Sequence, residues 1–238
     1  AGRRIAAIKN AATGANVPFD IDASGEAVFV AKDVPAMGYA TFEITTAAGR
    51  SVSTLKPLAG NAAETADVKV EMNADGTVKS IFDKKRRREL VNAAGSRPFN
   101  DLLRVEGSDA SQVVYPVPPR INVRKGVGMA EISVVRERSI FPETTITMIE
   151  GVDGVRITNR LDETKMPFVG GNKNWHDSYY FAFPANVSAD GLKVMRGGQR
   201  WFDTFPDDYL SGARKDSVST RHSIGLADGR SSVLIAHR

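Results

Sequence analysis

Two segments of this 238-residue chain combine aromatic rings with acidic or imidazole groups, the side chains that commonly hold sugars. Aromatic faces pack on the C–H faces of a sugar ring, and carboxylates accept hydrogen bonds from its hydroxyls. The segments span residues 174–180 and 201–209, and the first lies just before a predicted strand, where binding residues often occur. The alternative interpretation is that these rings fill the end of a β-sandwich. The candidate substrate-binding residues are Trp175, His176, Tyr180, Trp201 and Asp203.

Catalytic and metal-binding patterns are not found in this sequence. The three histidines, His176, His222 and His237, do not have the close spacing of zinc ligands. Glycoside hydrolysis needs two carboxyl groups about 5–9 Å apart, and the acidic residues at 203, 207 and 208 are the nearest approach to such a pair. We therefore predict no catalytic residue, no metal ligand and no cofactor in this chain.

Composition indicates an ordinary globular protein, with 42% hydrophobic residues, no cysteine and a net charge of +4. The only dense basic run, Lys84 to Arg88, contains no aromatic stacking residue, so we interpret it as a solvated turn and expect no nucleic-acid partner. Residues 1–10 do not have the pattern of a signal peptide, and no apolar run predicts a membrane span. We expect a fragment or processed form, and the sequence does not distinguish a cytoplasmic from a periplasmic or secreted location.

The hydrophobic pattern has a period of two, which predicts β-strands separated by turns and few, short helices. The clearest local feature is a hairpin, in which Asp67–Glu71 and Val78–Phe82 flank the turn signal Asn73-Ala-Asp-Gly76. The apolar run Tyr179–Phe183 predicts a central strand covered on both faces. Other predicted strands are Glu26–Val30, Tyr39–Ile44, Glu131–Val135, Thr144–Ile149, Val155–Thr158 and Ser232–Ala236.

The strand spacing predicts a mainly β protein, with a large antiparallel β-sandwich preceded by a small β domain. The small, polar stretch Ala59–Ala66 has no periodicity and is interpreted as a linker. We therefore place a small β domain at residues 1–62 and expect it to pack on the sandwich. The sandwich occupies residues 63–238, and its C-terminal end is expected to be cut short.

Several segments, in order along the chain, together resemble the C-terminal half of glycoside hydrolase family 38, the α-mannosidase-type enzymes. The most specific match is Asn73–Val91, which contains Asp-Gly-Thr-Val-Lys-Ser-Ile-Phe-Asp-Lys and ends in Arg-Glu-Leu-Val. The other matching segments are Asp33–Glu43, Pro98–Asp101, Asp177–Val187 and Asp208–Asp216. Ser211 and His222 depart from the residues that the family often has there, proline and an aromatic.

The resemblance implies a galactose mutarotase-like supersandwich in an enzyme of mannose metabolism that hydrolyses α-mannosides with retention. In that family the zinc ion and the aspartate nucleophile belong to an N-terminal α/β barrel. This chain lacks the alternation of strands and helices that a barrel of about 250 residues requires. The resemblance thus implies a non-catalytic C-terminal part that packs on the barrel and lines one side of the sugar cleft, with the α-mannoside bound by the whole enzyme.

Two other functions are compatible with the same sequence. One is a stand-alone carbohydrate-binding or mutarotase-like module, for which His176 is the only histidine in a suitable cluster and no glutamate partner is evident. The other is a structural interaction domain at a cell surface. A fold alone does not license an activity, so the choice depends on a site.

Overall fold

A computed structural model describes residues 2–106, 109–165, 178–197, 202–205, 208 and 223–236 of the chain. This part is almost entirely β-structure and contains no α-helix, only a short 3-10 helix at Glu163–Lys165. No helix in these ranges is long and apolar enough to cross a bilayer. The prediction of a mainly β protein with few, short helices is confirmed for the described residues.

Twenty strands follow one another along the described residues, and most are between three and eight residues long. They are β1 Arg3–Asn10, β2 Phe19–Ile21, β3 Ala27–Phe29, β4 Phe42–Ala48, β5 Lys56–Leu58, β6 Ala62–Glu64, β7 Val68–Met72, β8 Val78–Asp83, β9 Arg88–Glu89, β10 Asp101–Glu106, β11 Asp109–Gln112, β12 Arg120–Lys125, β13 Met129–Val135, β14 Glu143–Ile149, β15 Arg156–Arg160, β16 Ser178–Ala182, β17 Lys193–Gly197, β18 Phe202–Phe205, β19 Ser223–Ala227 and β20 Ser232–Ala236.

The main core lies between two antiparallel sheets. One is five-stranded, in the order β15-β14-β13-β12-β5, and the other is four-stranded, in the order β6-β7-β8-β9. Every second residue of β13 and β14, such as Ile132 and its cross-strand partner Ile146, faces the four-stranded sheet and is fully buried. Val70 and Met72 of β7 meet them from the other side. Each such side chain contributes about 1.5–3 kcal/mol by leaving water, so this interface is the main source of stability.

The predicted hairpin forms between β7 and β8. Val68 pairs with Asp83 and Val70 with Ile81, in antiparallel register around the Asn73–Gly76 turn. Gly76 has a φ of 79°, a left-handed conformation that glycine adopts without steric cost. The sequence prediction is therefore confirmed to within a residue at each strand.

The first 50 residues form two small antiparallel pairs, β1 with β4 and β2 with β3. Asp20, at the centre of β2, connects them to the larger sheet, because its buried carboxylate accepts hydrogen bonds from the backbone N–H groups of Val127 and Gly128 at 3.0 and 2.7 Å. β5 also pairs with β12, and so belongs to the five-stranded sheet. The division into units 1–62 and 63–238 stays a prediction.

The stretch Ala59–Ala66 is not an unstructured linker, and this expectation was wrong. Ala62–Glu64 forms β6, which pairs with β7, and the Ala63 side chain is buried in the main core. Alanine has too small a side chain to produce a visible hydrophobic alternation, and a three-residue strand adds little more. The sequence pattern therefore could not reveal this edge strand.

Two further sheets complete the described structure. The three-stranded sheet has the order β11-β10-β16, and the four-stranded C-terminal sheet has the order β18-β17-β19-β20. Within the described ranges β16 pairs only with β10, and its Tyr180 is 56% exposed. The prediction that this strand is covered on both faces was therefore wrong for the face that carries Tyr180.

Candidate functional site

Two of the five sugar-binding candidates, Tyr180 and Asp203, lie within the described residues. Tyr180 lies in β16, opposite Leu103 of β10, and its ring is open to solvent. Asp203 lies in β18, whose backbone pairs with β17 in the C-terminal sheet. Trp175, His176 and Trp201 lie outside the described residues. The structure thus places the two described candidates in different sheets, and their joint role in one sugar site stays a prediction.

Metal binding was not expected of this chain. Within the described ranges no group of three or more histidine, cysteine, aspartate or glutamate side chains could hold an ion. All three histidines, His176, His222 and His237, lie outside the described residues. Described acidic residues such as Asp75, Glu89 and Asp153 instead make hydrogen bonds or ion pairs to nearby backbone and side-chain groups.

The turn of the β7–β8 hairpin is held by polar side chains of its own segment. The Asp75 carboxylate accepts hydrogen bonds from the backbone N–H and the hydroxyl of Thr77, at 2.9 and 2.6 Å. The Asn73 side-chain amide donates to the same hydroxyl at 2.9 Å. These contacts satisfy the turn locally, so the Asp-Gly-Thr sequence of the family-like segment has a structural role here.

Glu89 has a comparable role at the end of the same segment. Its carboxylate accepts hydrogen bonds from the backbone N–H groups of Ile81 and Val91, both at 2.9 Å, and from the hydroxyl of Ser80 at 2.5 Å. This single carboxylate therefore connects β8 to the chain after β9. A carboxylate that already accepts three hydrogen bonds from the protein has a structural role. It is a poor candidate for a general acid or base.

Three of the family-like segments meet at one place, which we call the motif junction and define by Phe99, Asn100, Phe183 and the residues that they contact. The Phe99 and Phe183 rings pack edge to face with centroids 5.2 Å apart. Phe99 also forms a β-bridge with Val78 of the hairpin, and its carbonyl accepts the Val78 N–H at 2.9 Å. Phe99 and Phe183, which are about 80 residues apart in sequence, therefore pack together in the same part of the core.

Asn100 is the polar centre of the motif junction. It is fully buried, has a φ of 62°, and exchanges two side-chain hydrogen bonds with Asn159 of β15, at 3.1 and 2.6 Å. Its backbone N–H donates to the Ala182 carbonyl of β16 at 2.7 Å. Asparagine tolerates left-handed backbone better than most residues, and its amide can both donate to and accept from the amide of Asn159. In the family-like Phe99-Asn100 pair, the phenylalanine therefore packs in the core and the asparagine makes hydrogen bonds.

The basic run after β8 is largely paired with carboxylates. Lys85 lies 3.0 Å from both Asp67 and Asp153, and Arg86 contacts Asp83 at 2.9 Å. The hydrogen bond from Lys85 is the main cause that lowers the pKa of Asp67 and of Asp153. The interpretation of this run as a solvated turn agrees with this arrangement, because neighbouring acids offset much of its positive charge.

Arg136 is a buried charge that the sequence interpretation missed. Its guanidinium lies over the Phe141 ring at 4.2 Å and the Tyr115 ring at 5.2 Å, and donates to the Gly76 carbonyl at 2.8 Å and the Thr144 hydroxyl at 3.1 Å. Burial raises the pKa of Tyr115 to about 12. The strand alternation that buries Ala130, Ile132 and Val134 reaches position 136, and extending it would have indicated this residue.

The face of the five-stranded sheet that points away from the main core is mostly polar and contains a buried acid. Glu131 of β13 lies beside Arg124 of β12 at 4.0 Å and pairs across the sheet with Thr147 of β14. Only 6% of the Glu131 surface is exposed. Burial raises the pKa of its carboxyl, and the nearby Arg124 offsets only part of that effect. The sequence alternation alone could not show that a charge on this face is covered.

Because the folded pKa of Glu131 is raised, its ionisation destabilises the folded protein. In the unfolded chain the carboxyl titrates near 4.5, so the protein loses stability as the pH rises from there through the higher folded pKa. We expect Glu131→Gln to lose less stability over this range, measured by urea unfolding at several pH values. The exposed Glu137→Gln is the control and should follow the wild type. Parallel curves for Glu131→Gln and wild type would contradict this assignment.

The loop between β3 and β4 exposes apolar side chains. Met37 is fully exposed, Tyr39 is 86% exposed, and Val34 is also largely open to solvent. Asp33 and Met37 have φ values of 56° and 58°, so the backbone of this loop is held in conformations that such residues rarely adopt. The loop therefore exposes apolar side chains on a backbone with two left-handed positions, which makes it a candidate contact surface.

Comparison with known proteins gives no relative for this chain. No protein-family model matches the sequence, and no curated protein or solved structure matches it. The family-38 resemblance therefore depends on its motif residues and on the places that they occupy in the fold.

Proposed function

We propose that this chain is the non-catalytic C-terminal part of a retaining α-mannosidase-like glycoside hydrolase of family 38. In this proposal the β-sandwich, of the galactose mutarotase-like supersandwich type, supports a catalytic barrel and lines one side of its sugar cleft. The barrel supplies the aspartate nucleophile and binds the zinc ion. The motif junction is the observation that carries the proposal.

The motif junction supports the proposal because three family-like segments come together there. Segments that match a family by chance are not expected to contact one another. Segments that together determine one fold are expected to do so. The polar groups of Asp75, Glu89 and Asn100 also make hydrogen bonds to nearby backbone or to another side chain. The residues of the resemblance therefore have the roles expected in a supporting domain.

The exposed apolar side chains of the loop between β3 and β4 also support the proposal. It lies in the segment Asp33–Glu43, one of the family-like matches, and it exposes Met37 and Tyr39. Removing two such side chains from water is worth about 3–6 kcal/mol before the costs of association are subtracted. In the proposed enzyme the catalytic barrel packs against this loop.

The proposal predicts that the purified 238-residue chain is inactive on its own. With an aryl α-mannoside and added zinc, we expect release of the aryl group at the rate of the buffer, because the proposed nucleophile and zinc site belong to the barrel and the described residues offer no metal-binding cluster. A family-38 α-mannosidase with its barrel, assayed in parallel, controls for the substrate. Zinc-dependent turnover by the chain itself would contradict the proposal.

The polar face around Glu131 favours the alternative function, a carbohydrate-binding or mutarotase-like module. A carboxyl with a raised pKa can act as a general acid or base, which mutarotation requires. Polarimetry of a fresh hexose solution distinguishes the two functions. Acceleration that is lost in Glu131→Gln would establish the alternative, whereas a supporting domain is expected to give no acceleration in either form.

A further inference from the structure

The outer edge of β4 is open in the part of the chain that the structure describes. β4 pairs with β1 on one side, and none of the described strands pairs with its other side. The outer edge of β1 differs, because residues 15–17 lie along it and the Val17 N–H donates to the Ile8 carbonyl at 2.8 Å. Of the two strands of this sheet, β4 is therefore the one that keeps an accessible edge.

The backbone groups that face this open edge follow from the ladder between β1 and β4. Paired residues of antiparallel strands alternate between hydrogen-bonded and non-hydrogen-bonded pairs. The Ile8 carbonyl points away from β4, toward Val17, so the N–H and carbonyl of its partner Ile44 point to the open edge. Thr46 lies two residues further along β4, and its backbone groups point the same way. Ile44 and Thr46 therefore offer donors and acceptors to a further strand.

β4 also lacks the features that usually protect an exposed edge. Such edges are commonly short, or contain proline, lysine or arginine. The outer strands of the five-stranded sheet have these features, since β5 has three residues including Pro57 and β15 exposes Arg156 and Arg160. β4 has seven residues, with no proline and no basic side chain, and its Ile44 is 54% exposed. Its edge is therefore suited to pairing with another strand.

Two charged side chains flank the open edge on one face of the sheet. Arg4 of β1 pairs with Ala47 of β4, so it lies on the face that also carries Glu43. A Cβ atom added to Gly49 would lie 3.5 Å from Cδ and 3.6 Å from Nε of Arg4, so this side chain extends over the end of β4. Arg4 and Glu43 are exposed, and within the described residues neither makes an ion pair, although Lys9 lies opposite Glu43 on β1.

We propose that the open edge of β4 pairs with the same edge of a second copy of this chain, as antiparallel strands about a twofold axis at Thr45. In this register Ile44 lies opposite Thr46 of the second copy, and Phe42 lies opposite Ala48. All these residues point their backbone groups to the open edge, so the two copies form one continuous four-stranded sheet. The two Thr45 side chains meet at the axis, where threonine pairs can hydrogen-bond. This interface does not depend on the proposed α-mannosidase function.

The same register brings the two flanking charges together across the interface. Glu43 lies opposite Ala47 of the second copy, and Arg4 of that copy is the next residue in the same row. Strands are about 4.8 Å apart, so the Cα atoms of Glu43 and of that arginine are about 10 Å apart, a span that both side chains can bridge over the small alanine. The twofold axis repeats this pair. This charge complementarity favours a second copy over an unrelated strand.

Analytical ultracentrifugation of the 238-residue chain tests the pairing. Because the interface is small, we expect a monomer–dimer equilibrium at concentrations up to about 200 µM. Thr46→Pro removes an N–H that points to the open edge and leaves the ladder with β1 intact, so this variant should fold, since edge strands tolerate proline. We expect it to raise the Kd of the dimer at least about tenfold, because the twofold axis removes the hydrogen bond twice.

Charge reversal tests the register, and it tests the proposal even if the proline variant does not fold. Glu43→Arg and Arg4→Glu are each expected to raise the Kd at least about threefold, whereas the double variant should recover the affinity of the wild type. The control is Glu163→Arg, a reversal at an exposed glutamate outside β4, which should match the wild type. A chain that stays monomeric, a dimer unaffected by Thr46→Pro, an equal loss in Glu163→Arg, or a double variant no better than the single ones would overturn the proposal.

Discussion

Replacing Arg136 with alanine is expected to lower the free energy of unfolding by about 3–5 kcal/mol. The substitution removes hydrogen bonds to the Gly76 carbonyl and the Thr144 hydroxyl, and leaves a cavity between the Phe141 and Tyr115 rings. Gly76 is buried, so its carbonyl would lose a charged partner without gaining water. Urea unfolding followed by tryptophan fluorescence or circular dichroism measures the change.

The matched control for Arg136 is Arg120→Ala. Arg120 is exposed and contacts only Glu137, at 3.0 Å, among the ion pairs of the described residues. Surface ion pairs of this kind contribute at most about 1 kcal/mol, so the control should stay close to wild type. Equal losses in the two variants would show that Arg136 does not anchor the hairpin turn to β13.

The second large effect is expected at Gly76→Ala. A Cβ atom at this position would lie 2.5 Å from Cγ1 of Val134 and 3.0 Å from Nη2 of Arg136, and the φ of 79° is itself unfavourable for alanine. Left-handed backbone costs about 1–2 kcal/mol and overpacking adds about 1–3 kcal/mol. We therefore expect the free energy of unfolding to fall by about 2–5 kcal/mol, measured by urea unfolding.

A comparison with Gly151→Ala separates the cost of the left-handed backbone from the cost of overpacking. Gly151 has nearly the same φ, 76°, but an added Cβ there would meet no atom within 4 Å. Its expected loss is the backbone cost alone, about 1–2 kcal/mol. If Gly76→Ala is no worse than Gly151→Ala, the close packing of the hairpin turn against Val134 is not present in solution.

Local sequence signals predicted the parts of the fold in which one short segment fixes its own geometry. The Asn73–Gly76 turn specifies a hairpin, and the apolar alternation in Glu131–Val135 and Thr144–Ile149 specifies two strands. These predictions needed only nearest neighbours along the chain. They were correct because the turn residues and the buried rows favour the same register.

The sequence could not predict features that depend on which strands become neighbours. β16 has an apolar sequence, but within the described ranges it pairs only with β10, so Tyr180 stays exposed. Arg136 continues the buried row of β13, but its partners Phe141, Tyr115 and Gly76 converge on it from three separate positions in the sequence. Spacing along the chain contains no information about such convergence.

The candidate sugar site has the same limitation. Tyr180 and Asp203 are 23 positions apart in a segment rich in aromatic and acidic residues, yet they lie in different sheets. Arg104 and Tyr179, in contrast, are 75 positions apart and become direct cross-strand partners. Composition within a segment therefore suggested candidates, whereas strand pairing decided which residues become neighbours.

The proposed function requires that this chain is part of a larger α-mannosidase. An antibody against residues 1–238 can isolate the polypeptide made by the source cells, whose mass and aryl α-mannosidase activity are then measured together. We expect a polypeptide well above 25.7 kDa that hydrolyses the α-mannoside with retention and loses activity on zinc removal. A native polypeptide of 25.7 kDa, or a larger one without α-mannosidase activity, would contradict the proposed function.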